Sequence, residues 1–393
     1  MIPQRELLDL RGEWSLRLDV IEKDYVLGWL LGAIGQQPAL RESWIFKGGT
    51  CLRKCYFETY RFSEDLDFTI VDGGPEEPHD LVPIFTEIAE WFQDEVGIEI
   101  VVDDSSFRRR RNRRGNPTTE GRIAFRGPSQ QQPQLPKVKL DLTSDELLGE
   151  SPVWTDVLHP YSDAPNPLAT VASYSLAELH AEKIRALAER CRPRDLYDVI
   201  LIQRHSDLVD RAGDVLAILE AKCRFAGIAL PKLATIRDSP FRAELEQEWE
   251  SMLGHQLPYL PDVQDMWNDL AVLFDWLEGT VPVTVPPRVE RRDLDEAWVT
   301  PRSVTTWHTQ APLDLIRFAG ANRLTVEVNY HPIGGGRVGW REVAPLSLRL
   351  TKAGHLLLFV INDHGELRGY RVDRILGARV AGHRYSAPYR VEF

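Results

Sequence analysis

The chain has 393 residues, 43% of them hydrophobic, which is room for two or three domains with packed cores. Its formal charge of −12 is unevenly spread: residues 301–393 hold 13 Lys and Arg against 7 Asp and Glu, and the rest holds 34 against 52. An acidic body with a basic appendage excludes indiscriminate coating of nucleic acid and leaves room for local basic surfaces.

Four cysteines, Cys51, Cys55, Cys191 and Cys223, point to a reducing compartment rather than a disulfide framework. Cys51 and Cys55 stand four apart with no histidine at zinc-site spacing, so both read as small core residues. Arg5, Glu6, Asp9 and Arg11 are not the start of a secretory signal. The longest uncharged apolar run, Tyr25 to Gly35, is too short to cross a bilayer, and the expected location is the cytoplasm.

Ile21, Tyr25, Trp29 and Ala33 recur at helical spacing and predict a helix over 19–34. Ile45 and Phe46 then lead into Lys47-Gly-Gly-Thr50, where two residues without Cβ let backbone N–H groups approach an anion closely. Leu52, Tyr56 and Tyr60 continue at helical spacing, so the turn is expected to open a helix whose N-terminus favours phosphate. Asp65 and Asp67 follow in a strand-like run ending at Val71, which turns both carboxylates to one side. Mg²⁺, or Mn²⁺, is held by one or two carboxylates plus substrate phosphates. Two such ions clamp the attacking and leaving oxygens of an in-line transfer. Alone, Gly-Gly-Thr is an ordinary turn and Asp-x-Asp a solvated strand face. In this order, between apolar strands, they point to a triphosphate site.

This segment resembles the AbiEii/AbiGii-type nucleotidyltransferase toxins, a branch of the polymerase-β-like superfamily. Glu22-Lys-Asp-Tyr-Val26 with Trp29-Leu-Leu31 is similar to that family's lead-in helix. Lys47-Gly-Gly-Thr-Cys-Leu-Arg-Lys54 and Arg61-Phe-Ser-Glu-Asp-Leu-Asp67 are similar to its first motif. The resemblance covers about the first 280 residues. It implies an enzyme that binds a nucleoside triphosphate through Lys47, Gly48, Gly49, Thr50 and Ser63 and a metal ion through Asp65 and Asp67. It further implies a toxin restrained by a cognate antitoxin, with tRNA 3′ ends as acceptor and growth arrest during phage infection as the setting. Protein nucleotidylation is the nearest alternative.

Gly73-Gly-Pro-Glu-Glu-Pro78 predicts a loop, residues 84–96 a helix and 98–102 a strand, an alternation that favours a mixed sheet flanked by helices. Six arginines then crowd together: Arg108, Arg109, Arg110, Arg111, Arg113 and Arg114. A solvated hairpin tip and a phosphate clamp for a polynucleotide acceptor both fit the run, the second because such charge binds by counterion release. Residues 122–126 read as the returning strand and 128–136 as a polar connection. In Lys137-Val-Lys-Leu-Asp-Leu142, Val138, Leu140 and Leu142 face inward while Lys137, Lys139 and Asp141 face the other way. The polymerase-β-like resemblance implies a third carboxylate from a later strand. Asp141 fits that place, as metal ligand or as acceptor of the attacking hydroxyl's proton.

Residues 175–192 predict a strong helix with Leu176, Leu179, Lys183 and Leu187 on one stripe. A lysine there is costly unless its ammonium is paired or snorkels out. Leu179-His-Ala-Glu-Lys-Ile-Arg-Ala-Leu187 and Arg194-Asp-Leu-Tyr-Asp198 resemble the toxin family's downstream motifs, which implies that Lys183 reaches the nucleotide phosphates and Asp198 orients it. Pro193 ends the helix, and Asp195 reads as a cap of the next one. Residues 199–279 are helical in pattern, with Trp249, Trp267, Phe274 and Trp276 as core anchors, and 281–293 read as a stiff linker.

Short strands are predicted over 324–330, 346–350, 356–361, 369–372 and 375–380, with turns such as Asn362-Asp-His-Gly365 between them. Val326-Glu-Val-Asn-Tyr330, Trp340-Arg-Glu-Val-Ala-Pro345 and Arg368-Gly-Tyr-Arg-Val-Asp-Arg-Ile375 resemble a WYL domain, an SH3-like barrel linked to sensing nucleic-acid or nucleotide ligands. His355-Leu-Leu357 stands where the name-giving Trp-Tyr-Leu would. Arg341, Arg368, Arg371 and Arg374 are candidates for a ligand face. The expectation is an α/β (α+β) nucleotidyltransferase core over 1–160, a helical second lobe over 161–280, a linker over 281–300 and a WYL-like, SH3-like all-β small barrel over 301–393. A ligand-sensing regulator with a vestigial enzyme domain is the rival, and intact Asp65, Asp67, Asp141 and Lys183 argue against it.

Overall fold

The computed structural model describes residues 1–14, 16–112, 114–129, 134–205, 208–280, 286–301, 311–332, 334 and 336–393. Arg113, part of the polar connection, residues 281–285 of the expected linker and Gly335 lie outside these residues. Backbone contacts divide the chain into residues 1–198 with 213–257, the first unit, and 199–212 with 258–393, the second.

In the first unit, α1 (Gln4–Trp14) precedes α2 (Leu18–Gln36), whose long apolar stretch is buried from Val20 onward apart from a few positions. A Cβ on Gly35 would come within 2.0 Å of the Thr170 carbonyl oxygen, so only glycine lets the helix lie against that backbone. Next come β1 (Trp44–Lys47), α3 (Gly48–Cys51) with a π turn over Leu52–Tyr56, and β2 (Asp65–Ile70). The helix after the glycine turn is therefore shorter than its spacing suggests, and Tyr60 lies beyond it.

The chain continues through α4 (Pro78–Trp91), β3 (Glu99–Arg111), β4 (Pro117–Arg126), β5 (Lys137–Thr143), β6 (Val153–Asp156) and β7 (Thr170–Ser173). Pro78 stands in the first turn of α4, where a missing N–H costs nothing, which explains a start well before Ile84. Helices α5 (Leu176–Arg190), α6 (Pro193–Gln203), α7 (Ala212–Ala226), α8 (Leu233–Arg237) and α9 (Arg242–Leu253) follow. Ser175 caps α5 by accepting from the Glu178 N–H at 3.1 Å. Asp195 lies inside the first turn of α6 rather than capping it.

The seven strands form one mixed sheet of order β3-β4-β5-β2-β1-β7-β6. One face packs on α4 through Phe85, which lies 5.0 Å from the Phe107 ring and 6.2 Å from Trp44, itself 5.1 Å from Phe68. Val138, Leu140 and Leu142 are buried as their alternation predicts. Only part of the arginine run stands at the hairpin tip: Arg108–Arg111 lie within β3, while Arg114 lies in the turn before β4. Register explains the difference, because Arg108, Arg109 and Arg110 are held opposite Glu120, Thr119 and Thr118 of β4.

The second unit holds α10 (Val263–Leu277), α11 (Leu313–Ala321) and strands β8 (Leu324–Tyr330), β9 (Gly339–Leu350), β10 (Leu356–Asn362), β11 (Leu367–Arg371) and β12 (Ile375–Arg384). These strands form a separate, wholly antiparallel sheet of order β11-β10-β9-β8-β12. Leu313 and Ile316 of α11 pack with Val326, Val328, Leu358 and Val360. Val289 and Leu294, in the segment expected as linker, are buried with Leu346, Leu357 and Phe359. Among the described residues no helix is long and apolar enough to cross a membrane.

Candidate active site

Lys47 stands opposite Asp67 across the antiparallel β1–β2 pair, and Asp67 stands opposite Asp141 across the parallel β2–β5 pair. Paired residues share a sheet face, so Lys47, Asp65, Asp67 and Asp141 all project from the side away from α4. Gly48 adopts φ +84°, and a Cβ there would come within 2.3 Å of Asp67 Oδ2. A Cβ on Gly49 would meet Arg61 Nη2 at 2.6 Å and Ser63 Oγ at 3.2 Å. Thr50 is turned inward, its hydroxyl donating to the Asp65 carbonyl.

Burial, then repulsion from Asp141, pushes the Asp67 carboxyl up to about 6 against the pull of Lys47. Asp65 is raised mainly by burial, with Lys139 opposing and Asp141 adding to the shift. Asp141 accepts from Lys139 Nζ at 2.6 Å. Lys47 is paired with Glu146, which also accepts from the hydroxyls of Thr69 at 3.1 Å and Tyr174 at 3.0 Å. Burial alone would raise Glu146, but Lys47 holds it at about 2.

Lys183 does not snorkel: its ammonium lies 2.7 Å from Asp198 Oδ2 and 3.8 Å from Asp195. Arg61 grips the same Asp198 through Nε at 2.7 Å and Nη2 at 2.8 Å. Despite full burial, Arg61 and then Lys183 hold the Asp198 carboxyl well below the usual range. Asp198 therefore sits behind Lys183 as its anchor. A second buried carboxylate, Asp24, accepts from Arg53 at 2.6 Å and Lys54 at 2.7 Å. Arg53 in turn donates to the carbonyls of Glu58 at 2.8 Å and Tyr60 at 2.9 Å, which fixes the loop that delivers Arg61 and the carboxylate strand.

A cleft of about 430 Å³ opens over this surface. Lys47, Gly48, Gly49 and Asp67 form one wall, Lys183, Arg185 and Arg190 of α5 another, and Asn112 and Arg114 of the β3–β4 turn reach it as well. Glu146, Glu182 and Glu189 line the cavity too, and they pair with Lys47 and Arg185, so its cations and carboxylates alternate around the glycine backbone and Asp67.

The model of the nucleotidyl transferase AbiEii toxin of type IV toxin–antitoxin systems matches residues 29–276. The chain belongs to this family. Nucleotidyl transfer by a toxin with a cognate antitoxin is thereby its general activity. Residues 312–380 match the WYL domain model. No curated protein matches the chain. Among solved structures, the nucleotidyltransferase toxin MenT4 from Mycobacterium tuberculosis is similar at 18% identity and a TM-score of 0.40, covering 70% of this chain and 87% of that one. JHP933 from Helicobacter pylori is similar at 15% and 0.41, covering 67% and 94%. Proteasome accessory factor B/C of Arthrobacter aurescens is similar at 11% and 0.18, covering 94% and 73%.

AbiEii-type nucleotidyl transfer calls for a divalent cation. Among the described residues no three His, Cys, Asp or Glu side chains are gathered closely enough to enclose one. The donor set nevertheless fits: two carboxylates two apart on β2 and a third across from Asp67 are hard oxygen ligands, and the upward shifts of Asp65 and Asp67 are what a cation relieves.

Other sequence candidates are dispersed. Arg109 turns to Glu76 at 3.5 Å and Glu77 at 3.1 Å, Arg111 donates to the Gly115 carbonyl at 2.6 Å, and Arg114 reaches Asp145 at 3.5 Å. On the C-terminal sheet, Arg341 lies 5.7 Å from the Tyr330 ring, Arg368 pairs with Glu366, Arg371 with Asp373, and Arg374 donates to the Pro332 carbonyl. Arg368 and Arg371, three apart on β11, point to opposite faces. Sequence reading passed over Glu146, Arg61, Arg185 and Arg190. Arg61 and Arg185 carried a signal, as members of the Arg61–Asp67 and Leu179–Leu187 motifs.

Proposed function

We propose that this AbiEii-family enzyme transfers a nucleotidyl group from a nucleoside triphosphate to an RNA acceptor, the 3′ end of tRNA, and thereby arrests translation in the cytoplasm during phage infection under an antitoxin's control. The observation that carries the reading is the β2–β5 register, with Asp141 across from Asp67 and the Gly48 backbone against Asp67 Oδ2. Lys47 and Lys183 carry charge toward the triphosphate, and Gly48 and Gly49 leave its oxygens free to reach the backbone. A bound Mg²⁺ or Mn²⁺ on Asp65 and Asp67 supplies the charge that stabilises the developing oxyanions. Asp141, 42% exposed, takes the proton of the acceptor hydroxyl as that oxygen bonds to the α-phosphorus and pyrophosphate departs. Asp198, gripped by Arg61, fixes Lys183 for phosphate contact. We read the C-terminal sheet as the SH3-like barrel of a WYL domain that takes a nucleotide or nucleic-acid ligand, with Arg341 over the Tyr330 ring, which stacks on Tyr370 at 4.4 Å, and Arg368 two residues before Tyr370 on β11.

The test is to incubate the chain with each labelled triphosphate and total cellular RNA, beside Asp67→Asn. Label at RNA 3′ ends that vanishes in the variant supports the reading. Label entering protein and not RNA would replace it with protein nucleotidylation.

A further inference from the structure

Alternation along β3 divides the arginine run into two populations. Arg108 is in register with Glu120 of β4, Glu120 with Asp141 of β5, and Asp141 with Asp67 of β2. These four share one sheet face, and Arg110, two residues on, shares it too. Arg109 and Arg111 point to the other face. Their bonding differs in the same way: Arg109 is consumed by Thr119, Glu76 and Glu77, and Arg111 by the Gly115 carbonyl. Arg108 and Arg110 are exposed, and neither has an ion-pair or hydrogen-bond partner among the described residues. Glu120, between them and the carboxylates, is matched first by Arg122 at 2.9 Å, with the charges of Lys139 and Arg110 adding to a smaller extent.

We propose that Arg108 and Arg110 form a phosphate track that guides the single-stranded end of the RNA acceptor to the carboxylates, a proposal that rests on RNA being the acceptor. Two considerations fix its direction. Displacement at phosphorus sets the attacking and leaving oxygens in line, so the acceptor enters from the side opposite the departing pyrophosphate. The lysines and glycines of the cleft come from β1, α3 and α5, whereas β5, β4 and β3 extend from the other edge of β2. The second is reach. Arg108 stands three strand spacings from Asp67, about 14 Å, so it meets a phosphate several nucleotides in from the reacting hydroxyl. The track thus recognises a polynucleotide and not a lone hydroxyl. It reads charge and not bases, because an exposed guanidinium meets the phosphate that every nucleotide carries.

The experiment uses the full chain and a labelled, unstructured RNA about 20 nucleotides long, with affinity followed from about 50 to 200 mM salt. Each phosphate of a single strand that is no longer neutralised by an arginine lowers the log–log salt slope by roughly 0.7. For R108Q/R110Q the unaltered chain's affinity lead should therefore shrink about sevenfold across that range. R108K/R110K should restore the slope, since a point charge suffices. R111Q should leave the slope as it is, with melting curves confirming that all variants fold. Equal drops in slope for R111Q and R108Q/R110Q, or no change in slope for R108Q/R110Q, would overturn the track while leaving the RNA reading in place. Absence of RNA binding by the unaltered chain would overturn both.

Discussion

Asp67 is the residue on which site and stability pull in opposite directions. Its carboxyl is raised from 3.8 to about 6, first by burial and then by Asp141. The folded chain thus holds that proton more tightly than the unfolded one, and Asp67 destabilises the fold progressively as pH rises from 3.8 through 6. In chelator, Asp67→Asn should melt with the unaltered chain near about pH 4 and above it near about pH 7, by on the order of 2 kcal/mol, while transfer is lost. A melting difference that does not grow with pH would contradict this. The sign reverses at Asp198, which Arg61 and Lys183 hold below its usual range, so its contribution is present above the usual carboxylate range and lost in acid. Lys183→Met leaves Asp198 its two bonds from Arg61 and should cost no more than about 2 kcal/mol with activity abolished. Arg61→Met strips a buried carboxylate of its bidentate partner and should cost about 3–5 kcal/mol. Denaturant melts of the pair decide it: similar losses would mean that Arg61 is not the anchor.

The glycine turn and β2 work as one element. Gly48→Ala forces a side chain onto a backbone at φ +84° and drives a Cβ to 2.3 Å from Asp67 Oδ2. We expect about 1–3 kcal/mol of backbone strain and a displaced carboxylate, hence lower stability and lost transfer together. An active Gly48→Ala enzyme would show that the backbone does not need to approach Asp67. Such local devices were legible, because a glycine pair, Asp-x-Asp, and the alternation of Val138, Leu140 and Leu142 are patterns carried by neighbouring residues. What escaped depends on distant pairing. Glu146 meets Lys47 across 99 positions and Arg61 meets Asp198 across 137, separations at which no period exists to read. Strands β6 and β7 have four residues each, too few to alternate visibly. The end of β3 is written in arginines, poor strand formers, and β4 holds it extended through register.

At the scale of the whole molecule, the second unit contains a seam that joins α10, α11, β12 and the segment after α6 through one carboxylate. Asp269 of α10 pairs with Arg204, just past α6, and with Arg384 at the end of β12, while Arg204 also donates to the Ala321 carbonyl at the end of α11. Asp269 and Arg204 are nearly buried, at 14% and 10% exposed, so removing the carboxylate leaves a guanidinium without its counter-ion in a poorly hydrated place. Breaking such a pair from one side costs more than the pair contributes, and Asp269→Ala should destabilise the unit by about 3 kcal/mol. Hydrogen exchange reads where that loss falls. Protection should drop in residues 199–205, 263–277 and 375–384 and persist in β1, β2 and β5, with nucleotidyl transfer unchanged because, among the described residues, none that lines the cleft belongs to this unit. If β2 and β5 lost protection in step with α10, the two units would be one cooperative body, and the division of the chain into an enzyme and a separately stable C-terminal unit would fail.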